Sequence, residues 1–462
     1  MSDVIYDVVV LGGGAGGVPA AIRAAQLGGR VAIIEAGEFG GLCMNRGCIP
    51  FCHMAEVSRI HGSLALGKEM GLDVSGVSLN YATFRKRQDE LIRFMREGVI
   101  GMLNKRKVRI IQGKGKLVGR GKVEVKGDTI SYRNLVLATG AKWLKPDIPG
   151  MDLEDVVTTD YLLETESLPK RVLLFGTSPW LLEIAQFLHH FGSKVILATD
   201  GKSILSAENK TIRTRLAKAM KNQGIGISSR AQILDLSKKK DGLHVLLKVK
   251  EKEDTVVVDR LVMLKRGAAL DGLGLSTVGL GGQGEYLKIN DRMQTAVDNI
   301  YAIGDITRPE ERHYSHAASA GGMIAAENAM GLQERCFDPR TVARIVFTQP
   351  QVACVGLTEK EAKKAGHEVM VGAAPLSMNP SGMILSQTMG LVELVSEKKY
   401  GEILGVHMVG DGVAEMIGQG ILAMQMELTL EELARATFPH PTLSESLPEA
   451  ARQAMGLPIY LP

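Results

Sequence analysis

VIYDVVVLGGGAGG, residues 4–17, has the pattern of a buried strand that leads through a glycine turn into a helix. In the spacing Gly12-x-Gly14-x-x-Gly17, the first glycine suits a tight turn and the second leaves the backbone bare for a pyrophosphate. The third lets the helix pack closely on the strand. A second predicted strand ends at Glu35, where a carboxylate would bind a ribose. Together these features predict a dinucleotide site, and the alternative is a purely structural turn.

Three of the five cysteines follow in residues 40–52, which read GGLCMNRGCIPFC. The spacing of Cys43 and Cys48 lets one turn at the start of a helix bring both sulfurs within bonding distance, which predicts a reversible disulfide. A helix N-terminus also lowers the pKa of a thiol and favours a reactive thiolate. Buried structural cysteines or half of a zinc site are the alternatives. Because the spacing is not that of a zinc site, we expect no metal here.

The composition is that of an ordinary globular protein with several domains. A chain of 462 residues is too long for one core, since a domain usually takes ~100–200 residues. The net charge of +4 is too small to predict nucleic acid as a partner. No apolar run of about 18 residues predicts a membrane span. Five cysteines do not make a disulfide framework, so we expect a reducing, cytoplasmic setting.

From Gly12 to Pro50 the sequence resembles the FAD-binding start of the pyridine nucleotide-disulfide oxidoreductases, whose redox motif is Gly-Gly-x-Cys-x-Asn-x-Gly-Cys-Ile-Pro. The resemblance continues at 135–140, LVLATG, and at 295–305, which ends in Asp305. It implies FAD as cofactor, with Asp305 on the ribityl chain, although an Asp could also cap the helix that follows. The residues assigned to the FAD site are Gly12, Gly14, Gly17, Glu35, Gly41, Gly115, Thr139, Gly140 and Asp305.

A second strand-turn-helix-strand unit, residues 169–200, lies where this family places its NAD domain. Its turn keeps only Gly176 of the three expected glycines. Ser178 would crowd a pyrophosphate, and Leu181 would push the helix away from the strand. Thr199 stands where an acid is expected. NAD is the expected second cofactor, with Gly176 at its site, but these departures put ordinary NAD binding in question.

Another departure from the family lies beside the cysteine pair. The family's Lys after Cys-Ile-Pro-x pairs with a Glu near the flavin, and this sequence has Cys52 in its place, while the Glu is kept as Glu183. As a hypothesis, Arg46 replaces some of the missing positive charge, and a solvent-facing Arg46 is at least as well supported. We interpret Cys52 as an inert buried thiol, with a third active-site thiol or a metal ligand as the alternatives.

From Ala343 onward the pattern changes to an α+β module that is similar to the family's interface domain and implies a homodimer. Near its end, FPHPTLSE at 438–445 matches the His-Pro-Thr-x-Ser-Glu signature almost letter for letter. An imidazole with a pKa of ~6.5 suits the deprotonation of a dithiol at neutral pH, and a carboxylate would orient it. The catalytic candidates are therefore Cys43, Cys48, His440 and Glu445, with His440 supplied by the partner subunit, as in the family.

The expected fold is α/β, with two Rossmann-like dinucleotide-binding domains and a C-terminal α+β dimerisation domain. We expect the FAD domain at 1–149, continued by 282–340, the NAD-type domain at 150–281 and the interface domain at 341–462.

Within the family, segment 438–445 and VGLT at 355–358 look most like the dihydrolipoamide dehydrogenases. This resemblance implies that a dihydrolipoyl group, free or on a carrier protein, is oxidised through Cys43 and Cys48 to FAD and then NAD. Two alternatives stay open. One is the same dithiol half-reaction with a different electron partner, and the other is a non-catalytic subunit that contains FAD.

Overall fold

The computed structural model describes residues 4–282, 284–332 and 335–462 of the chain. Its N-terminal part is an α/β unit with a short antiparallel extension. The elements of this part are β1 (Ile5–Leu11), α1 (Gly17–Gln26), β2 (Val31–Glu35), α2 (Gly41–Arg46), α3 (Cys48–Glu69), α4 (Tyr81–Lys105), β3 (Arg109–Gln112), β4 (Gly115–Gly119), β5 (Lys122–Val125), β6 (Asp128–Leu137) and β7 (Ala141–Trp143).

Strand β1 is the centre of the first sheet and is buried on both faces. It pairs in parallel with β2 on one side and β6 on the other, in the order β3-β2-β1-β6-β5-β4. Val8 and Val10 pack with α1, whereas Val9 and Leu11 belong to the core on the opposite face. A strand covered on both faces needs a continuous apolar run, which is why 4–11 lacks the alternation of a half-exposed strand.

The middle of the chain repeats the strand-turn-helix-strand arrangement. Its elements are β8 (Val156–Val157), α5 (Tyr161–Glu164), β9 (Arg171–Phe175), α6 (Trp180–His190), β10 (Lys194–Thr199), α7 (Lys210–Asn222), β11 (Gly226–Ser229), β12 (Ala231–Lys239), β13 (Gly242–Val249), β14 (Lys252–Val258), β15 (Arg260–Met263) and β16 (Arg266–Ala268). A parallel sheet has the order β11-β10-β9-β15-β8, and β12, β13 and β14 form an antiparallel sheet. β16 pairs with β7 and so joins this part to the first unit.

The chain then returns to the first sheet. β17 (Ile300–Ala302) pairs in parallel with β6, and a 3-10 helix, Gly304–Thr307, leads towards α8 (Ser315–Ala329). α8 packs tightly on the start of α1. The two backbones are so close that a Cβ added to Gly322 would lie only 2.3 Å from the Gly16 carbonyl oxygen. This close packing fixes the position of the first residues of α8 relative to the glycine turn.

The C-terminal module is an antiparallel sheet with helices packed on it. Its elements are β18 (Arg344–Val346), β19 (Gln351–Gly356), α9 (Glu359–Lys364), β20 (Val369–Pro375), α10 (Pro380–Ile384), β21 (Leu391–Glu397), β22 (Ile403–Gly410), α11 (Val413–Gln425), α12 (Leu430–Arg435) and α13 (Ser446–Ala454). The strand order is β18-β19-β22-β21-β20. The predicted fold class, two α/β units followed by an α+β module, is confirmed. Within the described ranges, no helix is long and apolar enough to cross a membrane.

Candidate active site

A cavity of about 860 Å³ brings most of the predicted site residues together. It lies between the glycine turn after β1, the start of α3, the start of α6 and the start of α8, and its volume suits a cofactor site. The predicted residues in its walls are Gly12, Gly14, Glu35, Gly41, Cys43, Cys48, Gly115, Thr139, Gly140, Glu183 and Asp305. Of the other predicted residues, Gly17, Gly176, His440 and Glu445 lie outside these walls as the structure describes them.

Close contacts at two positions of the first glycine turn, Gly12 and Gly17, leave no room for side chains. Gly12 has φ +114°, and a Cβ there would lie 2.2 Å from the Ala138 carbonyl oxygen. A Cβ on Gly17 would lie 1.9 Å from the Gly12 carbonyl oxygen, so α1 packs directly on the turn. Gly14 lines the cavity, and an added Cβ would meet only the Cα of Gly41, at 3.7 Å. Its backbone is therefore accessible to a bound phosphate.

Two carboxylates line the same cavity at separate points. Glu35, at the end of β2, accepts hydrogen bonds from the Gly13 N–H at 2.5 Å and the Gly37 N–H at 2.7 Å. Asp305 lies in the 3-10 helix after β17, with one oxygen 3.5 Å from Nδ1 of His313. The residues present fit FAD, because the cavity offers an open glycine backbone and two fixed carboxylates to hydroxyl groups.

Cys43 and Cys48 are free thiols at the junction of α2 and α3. A hydrogen bond between their side chains is the main cause that lowers the pKa of Cys43 and raises that of Cys48 well above its ordinary value. Burial raises the pKa of Cys48 further. Neither sulfur is part of a disulfide. The structure thus describes the reduced pair, and the reversible disulfide remains a prediction.

Ser315 is a contact of the redox pair that sequence reasoning missed. Its Oγ lies 3.3 Å from Sγ of Cys48, and it is the first residue of α8. The two residues are 267 positions apart. No local pattern signals this contact, because only the packing of α8 on α1 brings Ser315 to the start of α3.

Trp180 is a second residue that the sequence did not single out. It opens α6 and lines the cavity, with its ring centroid 5.2 Å from that of Phe51. The guanidinium of Arg266 lies 4.4 Å from the centre of the Trp180 ring, and Glu310 pairs with Arg266 at 3.3 Å. Such a stacked, partly desolvated cation contributes about 1–2 kcal/mol, so this wall of the cavity is rigidly packed.

Cys52 and Glu183 also line the cavity, on the packed helices α3 and α6. Glu183 is buried, and its Oε1 accepts the Phe347 N–H at 2.9 Å. Burial, with a smaller contribution from Cys48, raises the pKa of Glu183 to about 8. Burial and the neighbouring Glu183 raise the pKa of Cys52. Both side chains are therefore uncharged at neutral pH.

Arg46 does not supply the missing positive charge. Its guanidinium pairs with Glu164 at 3.0 Å and with Asp160 at 3.3 Å, and its side chain is 46% exposed. The hypothesis that Arg46 replaces the family's Lys is therefore wrong. The two carboxylates hold the side chain at the surface, outside the cavity walls that the structure describes.

His440 and Glu445 form a pair at the surface of the C-terminal module. Nδ1 of His440 lies 3.0 Å from Glu445 Oε1, and the histidine side chain is 67% exposed. Burial acts to raise the pKa of Glu445, but hydrogen bonds from the Thr442 N–H and the His440 ring lower it overall. The carboxylate therefore fixes the ring through Nδ1 and leaves Nε2 without a hydrogen-bond partner among the described residues.

The second glycine turn reaches the large cavity through Ser178, which carries a side chain, whereas Gly176 lies outside its walls. A cavity of only about 10 Å³ lies beside Gly176, Ser178, Leu181 and Thr199. Leu181 is 1% exposed, and its side chain would lie 3.0 Å from a Cβ on Gly176. Because Leu181 carries the Cβ that Gly17 lacks, α6 cannot approach its turn as closely as α1 does.

The end of β10 also differs from the end of β2. Thr199 is 2% exposed, and its Oγ1 accepts the Gly201 N–H at 3.1 Å. Thus a small, already bonded hydroxyl stands where Glu35 offers a carboxylate in the first unit. The residues at this second turn do not fit NAD bound in the manner of a Rossmann unit.

Comparisons with known proteins extend over nearly the whole chain. The family model described as pyridine nucleotide-disulphide oxidoreductase matches residues 6–322, and that of its dimerisation domain matches residues 342–451. A dihydrolipoyl dehydrogenase of Thermus scotoductus is 37% identical over 456 residues, which cover 96% of each chain. A mercuric reductase of Lysinibacillus sphaericus is 31% identical over 452 residues, 96% of this chain and 82% of that one.

A solved structure has the same fold. It is the Cu(II) complex of the HOCl-induced flavoprotein disulfide reductase RclA from Escherichia coli, with a TM-score of 0.85. The match covers 97% of this chain and 99% of that chain at 24% sequence identity. At this identity the likeness extends to the fold alone.

Proposed function

The chain belongs to the pyridine nucleotide-disulphide oxidoreductase family, and from this premise we propose that it oxidises a dithiol of the dihydrolipoyl type through Cys43 and Cys48. Members of this family depend on FAD, with NAD(P) as the usual second cofactor. The single observation that carries the proposal is the cavity in which two hydrogen-bonded thiols share walls with an open glycine turn. The similarity to dihydrolipoyl dehydrogenase supports a lipoyl group, free or on a carrier protein.

The sulfur chemistry follows from the two thiols. With Cys43 and Cys48 joined as a disulfide, a substrate thiolate attacks Sγ of Cys43, the S–S bond breaks, and Cys48 keeps the electron pair. The second substrate thiolate then attacks the substrate sulfur of the mixed disulfide, which releases Cys43 and closes the substrate's own disulfide. The glycine turn, Glu35 and Asp305 would hold FAD, which would supply the acceptor for the electron pair.

A base must remove a proton from the substrate, because the thiolate is the attacking form. We assign this role to His440 of the partner subunit in a homodimer, with Glu445 orienting the ring. The exposure of the His440 side chain, and the absence of a hydrogen-bond partner for its Nε2 among the described residues, support a role in a neighbouring subunit's cavity. The match to the family's dimerisation domain at residues 342–451 supports the dimer.

A second candidate has the same dithiol half-reaction with an electron partner other than NAD. It is favoured by the second glycine turn, where Ser178 and Leu181 stand in place of two glycines and Gly176 borders a cavity of only about 10 Å³. We therefore assign no step to NAD.

The test is anaerobic reduction of the bound flavin, followed by absorbance, with dihydrolipoamide in one cell and NADH in the other. We expect dihydrolipoamide to reduce the flavin of the parent protein and of Cys336→Ser, a control outside the cavity. Dihydrolipoamide should not reduce the flavin of Cys48→Ser. Flavin reduction in that variant at the parental rate would contradict the proposal. Rapid reduction by NADH as well supports the NAD-linked reaction, whereas reduction by the dithiol alone supports the second candidate.

A further inference from the structure

Ser315 contacts a reacting sulfur, yet the proposed sulfur chemistry assigns it no role. Its Oγ lies 3.3 Å from Sγ of Cys48, and both residues line the large cavity. Ser315 is the first residue of α8, so no helical turn precedes it whose carbonyl groups would compete for its hydroxyl hydrogen. Within the described ranges, Cys48 is the only hydrogen-bond partner of this hydroxyl group. The O–H of Ser315 is therefore available to the sulfur of Cys48.

The packing of α8 holds Ser315 in this place. A Cβ added to Gly322 would lie 2.3 Å from the Gly16 carbonyl oxygen, and a Cβ added to Gly16 would lie 3.0 Å from the Ala318 carbonyl oxygen. The backbones of α8 and of the start of α1 are thus in contact at two points, and one of these is in the first turn of α8. The contact between Ser315 and Cys48 is therefore fixed by backbone packing.

The end of α8 that carries Ser315 also favours negative charge. α8 has 15 residues, and its N-cap residue, Tyr314, makes no side-chain capping hydrogen bond. The first N–H groups of such a helix carry a partial positive charge, which stabilises a nearby anion. The sulfur of Cys48 therefore lies where a thiolate is favoured over a neutral thiol by the helix.

Cys43 is the other side chain that is hydrogen bonded to Cys48, and it is so only in the reduced protein. In the mixed disulfide, Sγ of Cys43 is joined to a substrate sulfur and has no proton to donate. At that stage Cys48 has just received the S–S electron pair and is a thiolate. Ser315 is then the remaining side-chain hydrogen-bond donor to Cys48 among the described residues.

The ionisable groups that act on Cys48 from α3 and α6 do not supply a positive charge. Cys52 and Glu183 line the same cavity, and burial raises the pKa of each, so both are uncharged at neutral pH. If they were ionised, they would repel a thiolate. Arg266, a cation in the cavity wall, is already paired with Glu310. A hydroxyl donor is therefore the stabilising contact that the cavity offers to this sulfur.

We propose that Ser315 stabilises the Cys48 thiolate during dithiol–disulfide exchange by donating its Oγ–H to Sγ of Cys48. This inference rests on the proposed function and deepens it. The substrate thiolate forms a bond with Sγ of Cys43, the S–S bond breaks, and the electron pair stays on Cys48. Ser315 keeps its proton throughout, so atoms and electrons balance without it. Because a stabilised thiolate is the better leaving group, Ser315 promotes the opening of the disulfide.

The FAD-containing Cys43→Ala protein tests the proposal, because it lacks the Cys43 thiol, as the mixed disulfide does. The pH dependence of Cys48 alkylation by iodoacetamide gives the pKa of this thiol, and peptide fragmentation separates its label from that of Cys52. In this background Ser315→Ala should move the midpoint about one pH unit higher, since hydrogen bonds to charged groups are the strong ones. Ser315→Thr keeps a hydroxyl group and should leave the midpoint unchanged.

Ser319→Ala is the matched control, because Ser319 lies one turn further along α8 and outside the described walls of the cavity. Its midpoint should equal that of the Cys43→Ala protein. An unchanged midpoint in Ser315→Ala would overturn the inference, as would a midpoint in Ser315→Thr as high as that in Ser315→Ala. The assay contains no dithiol, so its outcome is independent of the proposed function. Failure of that function has its own signature, which is flavin reduction in Cys48→Ser at the parental rate.

Discussion

The ionisable residues of the cavity take their protonation states from burial and from one another. Cys43 and Cys48 are the same residue type, yet their shared hydrogen bond shifts their pKa values in opposite directions. Glu183 and Cys52 both stay neutral because each is buried beside a group that would repel its charge. Burial is the main reason that Glu183 carries a proton.

At this scale we predict that Glu183→Gln flattens the pH dependence of stability. The pKa of Glu183 rises from 4.5 to about 8 in the folded protein, so the folded state binds this proton more tightly than the unfolded state. Stability must therefore decrease as pH rises through that window. The glutamine side chain cannot bind this proton. The melting temperature of the Glu183→Gln protein should therefore change less between pH 4.5 and 8 than that of the parent protein.

Glu124→Gln is the matched control for this measurement, because Glu124 is exposed on β5. Its profile should follow that of the parent protein. Parallel melting profiles for Glu183→Gln and the parent would contradict the assignment of a raised pKa to Glu183.

At the scale of elements, the two strand-turn-helix units have the same topology but different turns. α1 reaches its turn because Gly17 has no Cβ, whereas α6 begins with Trp180 and Leu181, whose side chains pack inwards. Both turns reach the large cavity, the first through Gly12 and Gly14 and the second through Ser178, whereas Gly176 borders a cavity of only about 10 Å³. Helix position alone does not make a nucleotide site, since the small residues at the turn decide whether a ligand can approach.

We predict that Gly17→Ala disrupts the first unit and its FAD site. The new Cβ would lie 1.9 Å from a backbone oxygen, so α1 must move away from the turn. The protein should be purified with less FAD per chain and should melt at a lower temperature. Gly101→Ala in α4 is the control, because nothing lies within 4 Å of its added Cβ.

The control variant should retain FAD and gain about 0.5–1 kcal/mol of stability, since alanine is the better helix former. Full FAD occupancy in Gly17→Ala would show that the close approach of α1 is not required for the site.

At the scale of the whole molecule, local patterns were predictable and distant contacts were not. The roles of Gly12 and Gly17 in the turn follow from spacing over a few residues. Ser315 contacts Cys48, which is 267 positions away in the sequence. Arg46 pairs with Glu164, which is 118 positions away. Such contacts depend on how separate units pack, which periodicity does not encode. The domain boundaries and the catalytic roles stay predictions, because placement in a cavity does not by itself establish a role.

The proposed dimer makes a further prediction about how sites are shared between chains. If His440 of the partner subunit serves Cys43 and Cys48, a heterodimer of Cys48→Ser and His440→Gln chains contains one site with every residue intact. Both homodimers lack an essential residue in each site. Two different affinity tags allow the heterodimer to be purified, and its dithiol oxidation rate should be about half that of the parent dimer, because one of two symmetric sites remains. His367→Gln, a substitution of an exposed histidine in the same module, is the control: paired with a Cys48→Ser chain it should also give about half the parental rate, because only the site without Cys48 is lost. A heterodimer as inactive as the two homodimers would mean that both residues act within one chain, and the surface position of His440 would then need a movement of the C-terminal module to reach the cavity.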